Sequence, residues 1–254
     1  MGIYALTGGA TGIGAELKRQ LIERGDEVIT VDIKEGDIVA DLSTDVGRQA
    51  AIDGISARAP DGLDGFIPCA GLPPVAKPVS LITRVNYFAV IATVEGLREL
   101  LAKKRGAVLI VSSNSAPMVP ADDPYVQDCL SGDEQKACAG IEERDGQTAY
   151  AGSKRAVTMW MRRHVVPYAA QGIRMNAVAP GITMTPLSEQ VMEDEQLGAA
   201  MKQFGEMVPL GGVAQPPQIA NVMSFLLSPA ADFVCGSVFF VDGGSNAMLR
   251  NDEF

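Results

Sequence analysis

Thr7-Gly8-Gly9-Ala10-Thr11-Gly12-Ile13-Gly14 follows an apolar run, residues 3–7, and leads into a segment with Leu17 and Leu21 one helical turn apart. This reads as strand, tight turn and helix, because the apolar spacing changes period across the glycines. The glycines stand at 8, 12 and 14 and so depart from GxGxxG, but the physics is related. Glycine lets a backbone approach a pyrophosphate without a Cβ in the way. The free N–H groups and the dipole of the following helix then face the phosphates. A glycine-rich turn used only for packing is the plainer alternative. Asp32 weighs against it. It ends a second apolar run, residues 28–31, and stands eighteen residues after Gly14. A carboxylate there accepts hydrogen bonds from an adenosine ribose and repels a 2′-phosphate, which selects NAD over NADP.

The same alternation continues outward. Further apolar runs at 65–70, 106–111, 173–178 and 237–241 read as strands, and helical patterns fill 13–24, 44–59, 86–104, 148–170 and 217–227. Strands that are apolar throughout, alternating with helices, imply an α/β fold: a parallel, doubly wound sheet of Rossmann type with helices on both faces. No repeat or linker divides residues 1–254, so a single domain is expected. Two stretches, 114–147 and 184–216, have no place in the alternation; segments of that length usually carry function or structure of their own.

Composition removes several functions. The chain has 254 residues, 31 acidic and 21 basic side chains and a net charge of −10, so a nucleic acid or an anionic membrane is not an expected partner. One histidine cannot form a multi-histidine metal site and leaves little room for histidine-based hydrolysis, so no metal is expected. That histidine, His164, lies more than two turns beyond Lys154 and reads as an ordinary helix residue. Cys69, Cys129, Cys138 and Cys235 show no CxxC pairing. Together with an N-terminus that lacks a signal-peptide pattern, they point to reduced thiols and a cytoplasmic protein.

Tyr150-Ala-Gly-Ser-Lys154 places a phenol and an ammonium one turn apart on one helix face. An ammonium there favours the phenolate; lowering a phenol pKa from about 10 to about 7 takes about 4 kcal/mol. A surface Tyr/Lys pair is the plainer reading of these five residues alone.

The glycine turn, Asp32, Cys69-Ala70-Gly71, Val85-Asn86-Tyr87, Ser112-Ser113, Tyr150-x-x-x-Lys154, Pro180-Gly181 and Asp242-Gly243-Gly244 occur in one order. That order, from about residue 3 to 244, resembles the short-chain dehydrogenase/reductase family. The resemblance implies a seven-stranded sheet and an NAD(P)-dependent oxidoreductase that uses no metal. Carried over residue by residue, it implies Tyr150 as general acid/base and Lys154 as the group that lowers its pKa and bonds the nicotinamide ribose. Ser113 would polarise the carbonyl oxygen, with Ser112 as the competing serine, and Asn86 would hold a water for proton relay or cap a helix. Gly8, Thr11, Gly12, Ile13 and Gly14 would line the pyrophosphate, and Asp32 with Ile33 the adenosine ribose. Asp41 and Leu42 would border the adenine, Ala70 and Gly71 would also contact the cofactor, and Gly181, Ile182, Thr183 and Thr185 would hold the carboxamide.

Two features depart from most relatives. Pro68-Cys69 replaces an asparagine pair, which leaves a thiol to pack beneath the cofactor. Thirty-six residues, many acidic, separate Ser113 from Tyr150, where most relatives have a short loop. This insertion, with Tyr-Ala-Gly-Ser-Lys, the tail Ala247-Met248-Leu249-Arg250 and Phe254, is similar to the bacterial 3α-hydroxysteroid dehydrogenase/carbonyl reductase branch. The implied substrate is a hydroxysteroid or comparable apolar, alicyclic secondary alcohol or ketone. A smaller cyclic, terpene or aryl alcohol is the alternative. From another class comes a non-catalytic NAD-binding regulator, which the presence of Ser113, Tyr150 and Lys154 together disfavours. A ketoacyl-carrier reductase is disfavoured by Asp32. Met184, Met192, Met201 and Met207 are either helix packing or part of an apolar substrate lid over 184–216. The insertion is expected to obstruct the long helices through which relatives assemble, leaving a homodimer rather than a homotetramer.

Overall fold

The computed structural model describes residues 1–252, so Phe254 of the tail lies outside the described residues. Seven strands form one parallel sheet: β1 (Ile3–Thr7), β2 (Glu27–Asp32), β3 (Ile38–Val39), β4 (Gly65–Pro68), β5 (Ala107–Val111), β6 (Arg174–Pro180) and β7 (Val238–Val241). Their order is β3-β2-β1-β4-β5-β6-β7. The alternation of side chains along each strand divides the core in two. Ala5, Phe66, Val108, Ile110 and Ala177 face one helical layer, while Tyr4, Leu6, Ile67, Leu109 and Val178 face the other. Each fully buried Leu, Ile or Phe here stabilises the fold by about 1.5–3 kcal/mol.

Between β1 and β2 runs α1 (Gly12–Glu23), which buries Leu17 and Leu21 against α11 (Pro216–Leu227). After β3 comes α2 (Asp45–Arg58), capped by the Thr44 side chain. Neighbouring β1 and β4 lead to opposite halves of the sheet, so a crevice opens at their carboxyl ends. Strand β3 is only two residues long, too short to show a pattern, and was foreseen only through the family resemblance.

The helix expected over 86–104 begins earlier. It comprises α3 (Ser80–Thr83), a π-helical stretch (Arg84–Ala89), α4 (Val90–Gly96) and, beyond Leu97, α5 (Arg98–Lys104). Asn86 lies inside the π stretch, so its reading as a helix N-cap is wrong. The segment 114–147 folds as a 3-10 turn, α6 (Pro124–Leu130) and α7 (Glu134–Glu142). Its acids have local uses: Asp123, Asp133 and Asp145 accept from backbone N–H groups at the starts of α6, α7 and α8 (Gly146–Ala169). The segment 184–216 holds α9 (Pro186–Met192) and α10 (Leu197–Glu206), and α12 (Ser245–Leu249) closes the fold. No helix among the described residues is long and apolar enough to cross a membrane.

Candidate active site

The glycine turn lies at the crevice, and its shape depends on glycine. Gly8 has φ +72° and passes so close to β4's exit that a Cβ would come 2.7 Å from the Ala70 Cα. A Cβ on Gly14 would come 2.1 Å from the Gly8 carbonyl oxygen. The N-cap Thr11 makes no side-chain bond to the first turn of α1, which leaves those N–H groups facing the crevice. A backbone cradle at an uncapped helix N-terminus suits a diphosphate. The Asp32 carboxylate completes it, accepting from Ala10 N at 3.2 Å and Ile33 N at 2.8 Å. The residues present therefore fit a dinucleotide.

A cavity of about 850 Å³ runs from this turn along the carboxyl ends of the strands. Gly8, Thr11, Gly12, Ile13, Gly14, Asp32, Ile33, Asp41 and Leu42 line one end. Ala70, Gly71, Ser113, Tyr150, Lys154, Gly181, Ile182, Thr183 and Thr185 line the rest. Of the catalytic and cofactor-binding residues expected from the sequence, only Asn86 stands outside the wall. It is fully buried behind it, where its amide accepts from Leu72 N at 2.7 Å and donates to Leu72 O at 3.0 Å. Its structural effect is to fix the turn that carries Gly71. A Cβ on Gly71 would come 3.3 Å from Asn86 Oδ1 and 3.8 Å from Lys154 Nζ.

The two serines at the end of β5 differ in use. The Ser112 hydroxyl is buried against α8, sharing a 2.7 Å hydrogen bond with Thr158 and donating to the Lys154 carbonyl at 3.3 Å. Both serines line the cavity, but the Ser113 hydroxyl lies 2.9 Å from that of Ser115 rather than against α8. Lys154 is buried, and its ammonium donates to the Val111 carbonyl at 2.7 Å. It also sits 5.9 Å from the centre of the Tyr150 ring.

Burial dominates the electrostatics of the site before any cofactor binds. Burial raises the Tyr150 pKa above the ordinary phenol value, and the neighbouring Ser113 hydroxyl pulls the other way. Burial also pulls Lys154 down to about 8, with the neighbouring Cys69 as the smaller, opposing influence. Desolvation dominates both groups, so the pair does not by itself produce a lowered phenol. Burial likewise pushes the Cys69 thiol up to about 11.

Three parts of the site were not visible in the motifs. Gln147, in the first turn of α8, lines the cavity ahead of Tyr150. Leu249 of α12 closes another side, and Arg250 donates to the Asn114 carbonyl at 3.4 Å. Met201 and Met207 line the cavity with Leu187, Val191, Leu197 and Phe204, whereas Met184 and Met192 do not. The run of methionines points to the first two; Leu249 stands in the tail that carries the branch resemblance, but its spacing alone gives it no place in the site. His164 takes no part: its Nδ1 lies 2.8 Å from the Trp160 carbonyl and its ring stacks on Trp160.

Comparison with known proteins agrees with this geometry. A family model described as short chain dehydrogenase matches residues 3–124, and one described as enoyl-(acyl carrier protein) reductase matches residues 137–246. The stretch between them falls inside the extra segment. The chain is 37% identical to a 3-alpha-hydroxysteroid dehydrogenase/carbonyl reductase of Comamonas testosteroni, over 100% of both chains. It is 30% identical to a cis-4-hydroxycyclohexanecarboxylate dehydrogenase of Sinomonas cyclohexanicum, over 97% of each. Among solved structures, the 3-alpha-hydroxysteroid dehydrogenase of Pseudomonas sp. B-0831 in complex with NADH superposes with a TM-score of 0.96 and 42% identity, over 99% of this chain and 100% of that one.

Proposed function

Because the chain belongs to the short-chain dehydrogenase family and is an NAD-dependent oxidoreductase, we propose that it interconverts a secondary alcohol and a ketone, with Tyr150 as general acid/base. The observation that supports this most is the convergence of Ser113, Tyr150 and Lys154 on one cavity that has Asp32 and the glycine cradle at its other end. When bound, NAD supplies the hydride acceptor. In oxidation Tyr150 would act as its phenolate and take the proton from the substrate hydroxyl, becoming the phenol; in reduction the phenol would give that proton back. The Ser113 hydroxyl holds the substrate oxygen beside that phenol and favours the charge that develops on it. Lys154, held by the Val111 carbonyl, presents its ammonium to the ribose. Asp32 takes the adenosine ribose hydroxyls and disfavours a 2′-phosphate.

The substrate class follows from the wall of the cavity. The charged residues lining it are Asp32, Asp41 and Lys154, all in the proposed cofactor part. Leu187, Val191, Leu197, Met201, Phe204 and Met207 supply an apolar surface from 184–216, which serves as the substrate lid. A hydroxysteroid or similar neutral alicyclic alcohol suits that surface, and the relatives' names point the same way. A panel of steroid, alicyclic and aryl secondary alcohols, each offered with NAD and with NADP, tests the reading. Reduction of NAD by bulky neutral alcohols is expected; turnover with NADP alone, or only with carboxylate-bearing alcohols, would overturn it.

The proposal extends to assembly and compartment. In 114–147, α6 packs on α8 and α7 packs on α3, covering part of the surface near the long helices. A homodimer built through other elements is therefore expected, in the cytoplasm, where its unpaired thiols stay reduced. Light scattering that shows a stable tetramer joined through α4, α5 and α8 would contradict the dimer.

A further inference from the structure

We propose that the 114–147 segment sets affinity for the adenine half of the cofactor, through Glu134 and Arg48 as positioning residues. Arg48 is 5% exposed, yet its guanidinium makes five hydrogen bonds. Nε donates to the Leu42 carbonyl at 2.9 Å, and Nη2 donates to the Arg84 carbonyl at 3.1 Å. Both terminal nitrogens grip Glu134, at 2.6 and 2.9 Å, across 86 residues of sequence. The remaining partner, Asp45, has its side chain 94% exposed and so compensates the buried charge weakly.

Each end of this bridge leads to the cavity. The side chain of Leu42 is part of its wall beside Asp41, and Arg84 opens the π-helical stretch whose next residue, Val85, also lines it. Glu134 ties the Arg84 side chain as well, at 3.1 Å. The first turn of α2 presses directly on the same wall, since a Cβ on Gly47 would come 1.9 Å from the Asp41 carbonyl oxygen. Any movement of α2 at Arg48 therefore reaches Asp41 and Leu42 without an intervening side chain. A forked guanidinium can serve a bidentate carboxylate and two carbonyls together; a lysine ammonium cannot. Removing the Glu134 charge leaves Arg48 buried without its main partner, and it must give up Leu42 or Arg84 to find water.

The inference rests on the adenine lying against Asp41 and Leu42. The test is equilibrium binding of NADH and of AMP, which reports the adenine half alone, to the unaltered protein and to Glu134→Gln, Glu134→Asp and Arg48→Lys. The expected result is AMP and NADH affinity each weakened about fivefold in Glu134→Gln and Arg48→Lys. Glu134→Asp should fall between, and the alcohol KM at saturating NAD should stay unchanged. Unchanged AMP affinity in a folded Glu134→Gln or Arg48→Lys protein would overturn the coupling. An equal rise in the alcohol KM would also overturn it, as general loosening of the fold. Failure of the unaltered protein to bind NADH would instead overturn the cofactor reading itself.

Discussion

The Lys154 ammonium donates to the carbonyl of Val111 at 2.7 Å, linking α8 to the last residue of β5 just before Ser112-Ser113. One bond thus ties the tyrosine-bearing helix to the strand that presents the serine. It also keeps a buried cation in place at a position where burial has lowered its pKa to about 8. Above that value the side chain loses its proton and with it a donor for the ribose. NADH affinity is therefore expected to fall as pH rises through about 8. Binding that favours the ammonium raises its pKa, so calorimetry just above pH 8 in two buffers should detect proton uptake on binding. Binding without proton uptake, or equal uptake in Lys154→Met, would contradict this.

Asp32 holds Ala10 N and Ile33 N, so it shapes the cradle and sets its charge at once. Replacing it by serine keeps a hydrogen-bonding group but removes the repulsion of a 2′-phosphate. The ratio of kcat/KM for NADP over NAD should rise about tenfold or more in Asp32→Ser. An unchanged ratio would mean that another group selects the cofactor.

The paired serines offer an internal control. Ser113→Ala should lower kcat about 10²-fold with little change in thermal stability, since its hydroxyl faces the cavity. Ser112→Ala should do the reverse. It removes a buried hydroxyl shared with Thr158 and costs about 1 kcal/mol of stability, with turnover nearly retained. Interchanged effects would make Ser112 the reacting serine.

The extra segment also supports α8 from below. A Cβ on Gly152 would come 2.7 Å from the ring of Tyr125, which is buried and bonded through its hydroxyl to Thr83 at 2.8 Å. Gly152→Ala gains helix propensity but must displace that ring, so a net loss of about 1–2 kcal/mol in denaturant unfolding is expected. A stabilised Gly152→Ala protein would show that the ring yields easily.

What was legible in the sequence was whatever rests on local spacing. Gly8, Gly12 and Gly14 stand in the expected turn, which is too tight for a Cβ at Gly8 or Gly14, and Asp32 ends β2 beside it because strand length sets its distance from them. Tyr150 and Lys154 come together on one face of α8 because one helical turn separates them. Less could be seen where the structure depends on partners far apart in the chain. The two residues of β3 carry no pattern, and nothing local foretold that Asn86 would sit in a π-helical stretch and spend its amide on Leu72. The Arg48–Glu134 bridge joins residues 86 positions apart, a separation that no local pattern reveals. Spacing shows the ammonium near Tyr150 but not that, before any cofactor binds, burial raises the phenol's pKa and lowers the ammonium's.

The most direct test of the central claim is the kcat of Tyr150→Phe for NAD reduction with the best alcohol of the panel, measured beside NADH affinity. The expected result is a loss of about 10³-fold in kcat with NADH affinity unchanged, because the phenylalanine keeps the ring and removes only the proton acceptor. Turnover close to that of the unaltered enzyme would contradict the role assigned to Tyr150.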